Sequence, residues 1–153
     1  MVALVSVDVD DERLGHLLQL YLHEWSGLLA VPTRDGAFYH PELHLYRDSD
    51  TRAAFLFIDS AAATPLGFAL AMRDPTCCWH VEDFFVIADA RRRGIGKSAA
   101  EALFAAHPGR WTLTVRPENP RALTFWRSVS RVADEHVEVG ADGIARTRLS
   151  YTV

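Results

Sequence analysis

Between Cys78 and Val115 the chain passes through a Val- and Phe-rich strand-like run, a glycine-containing turn, a helical stretch and a second strand-like run. The helical stretch, about Gly94 to Ala106, places Ile95, Ala99, Ala102, Leu103 and Ala106 on one face and stops at Pro108 and Gly109. Two strands joined through a helix cannot close as a hairpin. Segments 81–87, 94–106 and 111–115 therefore require a parallel strand pair with a right-handed crossover. The rest of the chain must be arranged around that unit.

What flanks it is mostly hairpin material. A strand near residues 2 to 8 leads into a helix from about Asp11 to Trp25, where Leu14, Leu17, Leu18, Tyr21 and Trp25 make one apolar stripe. Residues 27 to 50 hold Pro32, Gly36 and Pro41 and read as a loop with one short helix. Strands follow near Ala53 to Asp59 and Leu66 to Met72, joined by a turn over Ser60 to Pro65; a third spans about Cys78 to Ile87. After the strand Trp111 to Val115 come a helix, Pro120 to Ser128, and a hairpin of Val132 to Val139 and Ile144 to Thr152 around Ala-Asp-Gly. The expected fold is α/β in the α+β sense: a mixed, mostly antiparallel sheet of six to seven strands flanked by helices.

Composition removes several classes of function. A length of 153 residues suits a single domain over 1–153. Acids outnumber Lys plus Arg by 20 to 16, which argues against a nucleic-acid binder. No apolar stretch approaches the roughly 20 residues of a membrane span, so no membrane partner is expected. Met1 to Val9 runs into Asp10, Asp11 and Glu12 without a basic start or cleavage-like site, and reads as a first strand, not a signal peptide. Adjacent Cys77 and Cys78 would point to opposite faces of a strand and look like reduced small apolar residues. A cytoplasmic protein is expected.

The chemistry lies in the turn Ala90-Arg91-Arg92-Arg93-Gly94-Ile95-Gly96-Lys97-Ser98. Two glycines separated by one residue let the backbone turn tightly and approach a ligand. The first amides of a helix lack intrahelical partners and sit at its positive end, a site that favours phosphate or diphosphate. Arg91, Arg92, Arg93 and Lys97 add positive charge to an otherwise acidic chain. The bland reading is a helix start beside a solvated basic face. A P-loop, G-x-x-x-x-G-K-S/T, fails because Arg91 stands where its first glycine belongs. A dinucleotide fingerprint is spelled by Gly94, Gly96 and Ala99, but its first glycine lies too far from Ile87 and the next strand runs into Arg116 instead of an acid.

Arg91-Arg92-Arg93-Gly94-Ile95-Gly96 instead resembles the coenzyme A loop of the GNAT N-acetyltransferase superfamily, R/Q-x-x-G-x-G/A, at every defined position. Val86 and Ala88 stand where a V-x-P step usually precedes that loop, with Ala88 in place of the proline. Asn119, Ala122, Phe125 and Trp126 resemble the N-x-x-A-x-x-F-Y segment, with Trp126 in place of Tyr. Glu82-Asp83-Phe84-Phe85-Val86 is similar to the matching strand of spermidine/spermine-type diamine acetyltransferases. The chain as a whole looks more like a bacterial group of uncharacterised acetyltransferases.

The resemblance implies acetyl transfer from acetyl-CoA to a primary amine of a small molecule or peptide, attacking directly in a ternary complex. It implies a central parallel strand pair splayed at a bulge, where pantetheine pairs with main chain at Phe85, Val86 and Ile87. The diphosphate would rest on the amides from Arg92 to Ser98, with Asn119, Phe125 and Trp126 beside the cofactor. Asn119 also reads as an N-cap before Pro120.

Glu82, at the acidic position of the diamine-type motif, is the expected general base, directly or through water. His80 shares its face and is a candidate relay, whereas strand alternation turns Asp83 away unless the bulge re-aims it. Trp126 cannot serve as the acid that many relatives supply through Tyr, which leaves Tyr151, Cys77 or solvent. Tyr21, Glu24, Trp25 and Tyr39, with Phe38 and Tyr46, fall in the region that lines the acceptor site of such enzymes, and Glu24 would face a cationic end. A homodimer is common in the superfamily.

Two other readings compete: a non-catalytic acyl-CoA-binding sensor, favoured by Trp126, and an interaction subunit with a decayed site, disfavoured by intact Gly94 and Gly96. His40-Pro41-Glu42-Leu43-His44 is not H-E-x-x-H, and Pro41 disfavours a helix interior, so no metal is expected.

Overall fold

The computed structural model describes residues Met1–Val153. Nine strands and three helices follow in chain order: β1 (Val2–Val7), α1 (Glu12–Ser26), β2 (Thr33–Arg34), β3 (Ala37–Phe38), β4 (Arg52–Asp59), β5 (Thr64–Arg73), β6 (Trp79–Val86), α2 (Ile95–Ala106), β7 (Arg110–Val115), α3 (Pro120–Val129), β8 (Asp134–Val139) and β9 (Ala145–Thr152). Short 3₁₀ turns cover Leu43–Tyr46 and Ala88–Ala90. Seven strands form one sheet in the order β1-β4-β5-β6-β7-β9-β8. Every neighbouring pair is antiparallel except β6 and β7, the two joined through α2. No helix is long and apolar enough to cross a membrane.

Local chemistry sets the helix limits. Asp11 caps α1 by accepting from the Arg13 amide, and Asn119 caps α3 by accepting from the Ala122 amide, with Pro120 at the first helical position. Each face of the sheet carries its own core. Leu14, Leu17 and Leu18 of α1 pack with Phe68, Leu70 and Phe85 on one face. Leu103 and Phe104 of α2 pack with Trp111, Trp126 and Tyr151 on the other.

Two details differ from expectation. Residues 27 to 50 contain a two-stranded ribbon, β2 with β3, besides the expected short helical turn. Its turn is Asp35-Gly36, both with positive φ (52° and 80°), the conformation that Asp-Gly favours in tight hairpins. Pro65, expected in the turn, lies inside β5. The register skips Leu66 there, and a residue lacking an N–H is tolerated at such an irregularity. Cys77 and Cys78 precede β6, one exposed and one buried, both free thiols.

Candidate active site

β6 and β7 pair only at Trp79, His80 and Val81 against Trp111, Thr112 and Leu113. Beyond Val81 the strands part, and a cleft of about 530 Å³ opens between them. On its other edge β6 keeps its ladder with β5, but Leu70 faces Asp83 while the next residue, Ala71, faces Val81. Glu82 is therefore the extra residue of a β-bulge. Regular alternation would send Glu82 and Asp83 to opposite faces. The bulge turns both to the face of the sheet that carries α1, where Asp83 meets Tyr21 of α1 and Glu82 meets Tyr46 of the 3₁₀ turn.

The two carboxylates have different surroundings. Glu82 accepts from the Tyr46 hydroxyl and from Arg52 Nη1 at 3.1 and 3.3 Å. Asp83 Oδ1 accepts from the Tyr21 hydroxyl at 2.7 Å, and its Oδ2 lies 3.0 Å from His40 Nε2. Burial raises the pKa of both tyrosines, and the neighbouring carboxylate adds to it, so each hydroxyl stays a donor. Burial alone would lower His40, but the Asp83 carboxylate outweighs it and raises this imidazole above its ordinary 6.5.

The turn before α2 is shaped for an anion. Arg92 and Gly94 both take left-handed conformations, with φ of 60° and 77°. The amide of Ser98 donates to Gly94 O, which closes the first helical turn and removes Ser98 from the expected cradle. No amide from Arg92 to Lys97 makes a hydrogen bond of ordinary geometry within the protein, leaving a run of free donors at the positive end of α2. Gly96 is needed for a different reason: a Cβ there would lie 3.1 Å from the Phe125 ring.

Main-chain direction in β6 revises part of the expected cofactor contacts. The Ile87 N–H donates to Leu66 O at 2.9 Å, so alternation points the polar groups of Val86 and Phe84 toward the gap. Of Phe85, Val86 and Ile87 only Val86 faces the gap, and Phe84 joins it. The Val86 carbonyl already accepts from Arg91 Nε at 2.7 Å.

Arg91 also binds Glu24 through both terminal nitrogens, at 2.9 and 2.6 Å. Glu24, expected to face the acceptor, instead links α1 to this loop and does not line the cleft. Arg93 donates to Asp89 O and Lys97 lies 3.9 Å from Glu101, while Arg92 has no ion-pair partner.

Tyr21, Trp25, Tyr39, Asn119 and Trp126 do line the cleft, with Glu82. His80 does not: its Nδ1 lies 2.8 Å from Thr112 Oγ1 on β7, and no hydrogen bond joins it to Glu82. Burial lowers its pKa, and Arg148 lowers it further. Sequence reasoning missed the pairing of His40 with Asp83 and the bracing of Glu82 by Arg52 and Tyr46.

The substitutes for the missing tyrosine fare poorly. Tyr151 is fully buried and its hydroxyl donates to Trp126 O at 2.8 Å, while Cys77 is exposed before the far end of β6. A Tyr151→Phe variant is expected to lose about 1 kcal/mol of stability for the missing hydrogen bond, with turnover within about twofold of wild type. Thermal unfolding beside a steady-state assay tests this; a tenfold fall in turnover at unchanged stability would place the hydroxyl in the reaction.

A family model described as "Acetyltransferase (GNAT) family" matches residues 14–129. No curated protein sequence matches the chain. Among solved structures, an acetyltransferase from Thermus thermophilus superposes with a TM-score of 0.69 at 21% identity, covering 100% of this chain and 97% of that one. A spermidine N-acetyltransferase from Vibrio cholerae gives 0.68 at 14% identity over 98% and 94%. A ribosomal-protein-S18-alanine N-acetyltransferase from Escherichia coli gives 0.65 at 13% identity over 100% and 94%. The fold is thus shared equally with a polyamine enzyme and a protein-modifying one.

Proposed function

The chain belongs to the GNAT acetyltransferase family, whose members use acetyl-CoA, and on that premise we propose that it transfers acetyl from acetyl-CoA to the primary amine of a small, partly apolar acceptor, by direct attack in a ternary complex. The observation that carries this reading is the run of unpartnered amides from Arg92 to Lys97 beside strands that separate after Val81. A linked pair of phosphates fits such a cradle, and an extended amide-bearing arm fits the polar main chain of Phe84 and Val86. Bound there, acetyl-CoA supplies an activated acyl carbonyl on a thiol leaving group. Arg92 adds unpaired charge at the cradle, the unpartnered side-chain NH2 of Asn119 and Trp126 flank the arm, and the walls hold the reactants together.

The acceptor end is aromatic and aliphatic, formed by Trp25, Tyr39, Leu29, Val31 and Pro32. Its two acids are already engaged, Glu82 by the Arg52 cation and Asp83 by the Tyr21 hydroxyl and His40 Nε2. A long polycation would therefore find no row of free carboxylates, which favours an acceptor with one amine. The lack of a free tyrosine near the sulfur is no bar to turnover, because a thiol of pKa about 8.5 leaves readily as thiolate and takes its proton from water.

That same lack favours the second reading, a sensor that binds acetyl-CoA without reacting. Calorimetry with acetyl-CoA, paired with thiol release against phenethylamine, an amino-acid amide and spermidine, separates the two. Turnover is expected with the first two and weakest with spermidine. Binding without thiol release from any amine would establish the sensor, and no binding would remove both readings.

A further inference from the structure

Deprotonating an ammonium near neutral pH calls for a base whose own pKa lies near that pH, in reach of the amine directly or through one water. Glu82, the acid singled out by sequence, is poorly placed for this. Its oxygens already accept from Tyr46 and Arg52, and protonation would dissolve the ion pair with Arg52. Asp83 is enclosed too, with one oxygen under the Tyr21 hydroxyl and the other against His40. His40 is different. Like Glu82 and Asp83 it lines the cleft, and at 13% exposure it is the least open of the three, but its Nε2 faces Asp83 while its Nδ1 is buried without any hydrogen-bond partner in the protein.

Resting on the acetyltransferase reading, we infer that His40 is the proton acceptor of the reaction, acting at Nδ1, with Asp83 and Tyr21 as the residues that position it. A carboxylate at Nε2 holds the hydrogen of neutral imidazole on that nitrogen, which leaves the lone pair on Nδ1. An unpaired buried acceptor is costly in a resting protein; Nδ1 is closed to solvent there, so acceptor binding must part the loop around His40, and an amine or a water bound to an amine then satisfies it.

The balance is simple. The substrate ammonium gives one proton to Nδ1, and the freed nitrogen lone pair forms the N–C bond. The C–S bond breaks with its electron pair leaving on sulfur, and the amide nitrogen sheds its second proton, which ends on the thiolate through solvent. The imidazolium is stabilised by the carboxylate at Nε2 and returns its proton to water.

The groups that face His40 are Asp83 and Glu82 from β6, Glu42 from its own loop, and the Tyr21 hydroxyl through Asp83. All three carboxylates raise its pKa, so the working, neutral form is lost as pH falls through a value above 6.5. Removing the Asp83 charge lowers that value. The acidic limb of the rate profile then moves to lower pH even as the plateau falls.

The experiment uses the full chain with acetyl-CoA and phenethylamine, and reads the His40 ring by NMR titration without any substrate. H40Q is expected to lower kcat/KM by about 10²–10³-fold, with acetyl-CoA affinity within about twofold of wild type. D83N is expected to lower the His40 midpoint by about one pH unit and to move the acidic limb with it. E82Q should cost less than H40Q and leave the limb in place. An H40Q enzyme within about threefold of wild type, a limb and midpoint indifferent to D83N, or a limb removed by E82Q alone would each overturn the inference. Failure of the acetyltransferase reading looks different: wild-type protein that releases no thiol. The NMR arm then still decides whether Asp83 sets the titration of His40.

Discussion

Replacing Gly94 with valine is expected to weaken acetyl-CoA binding by about 10³-fold while the protein stays folded. The residue sits at φ 77°, and a Cβ added there meets nothing within 4 Å, so the penalty is conformational and not steric. A β-branched residue held in that region costs on the order of 1–3 kcal/mol, which the loop can relieve by rotating away. Rotation scatters the free amides of Arg92 to Lys97. Losing two hydrogen bonds to a charged phosphate, at about 1.5–3 kcal/mol each, amounts to roughly 10²–10⁴ in dissociation constant. Gly94→Asn, which tolerates left-handed backbone, should fall between wild type and the valine variant. Calorimetric titration measures all three, with thermal unfolding as the control for folding. Native affinity in the valine variant would mean that the loop does not hold the cofactor.

That loop was legible in the sequence because its logic is local. Gly94, Gly96 and the helix they open lie within a few residues, and the crossover followed from the order of strand-like and helical runs. The caps at Asp11 and Asn119 and the apolar stripe of α1 are equally local signals. The pairing of His40 with Asp83 spans 43 positions and needs two things that no short pattern encodes. One is the path of the loop after β3; the other is the bulge that makes Glu82 the extra residue and turns Asp83 toward α1. Plain alternation gave the opposite face for Asp83. Glu24 failed for a related reason: its partner, Arg91, lies 67 positions away and already belonged to another expected role. The ribbon of β2 and β3 is a milder case, because Asp35-Gly36 was a readable hairpin signal, but strands of two residues carry no periodicity of their own.

Gly67→Ala is expected to be the most damaging small substitution in the protein, although nothing in the sequence marks this glycine. It follows the irregularity at Leu66 and lies where β5 presses on β6. A Cβ at Gly67 would stand 2.0 Å from the Phe85 carbonyl oxygen and 3.0 Å from Val86 Cα. Both are main-chain atoms, so no rotamer change relieves the contact; the strands must move apart until the ordinary van der Waals distance of about 3.5 Å is restored. Separation strains the Phe68–Phe85 register and the bond from Ile87 N–H to Leu66 O, both within the stretch that orients Phe84 and Val86 toward the cleft. A loss of about 3 kcal/mol or more is expected, which for a chain of this size lowers Tm by roughly 6–12 °C. Any folded fraction should also bind acetyl-CoA less well, because the edge that meets the arm has shifted. The pairing of effects is the informative part. A variant with native Tm would show that the sheet yields there at no cost, and one destabilised with unchanged cofactor affinity would show that the main chain of Phe84 and Val86 does not take part in holding acetyl-CoA.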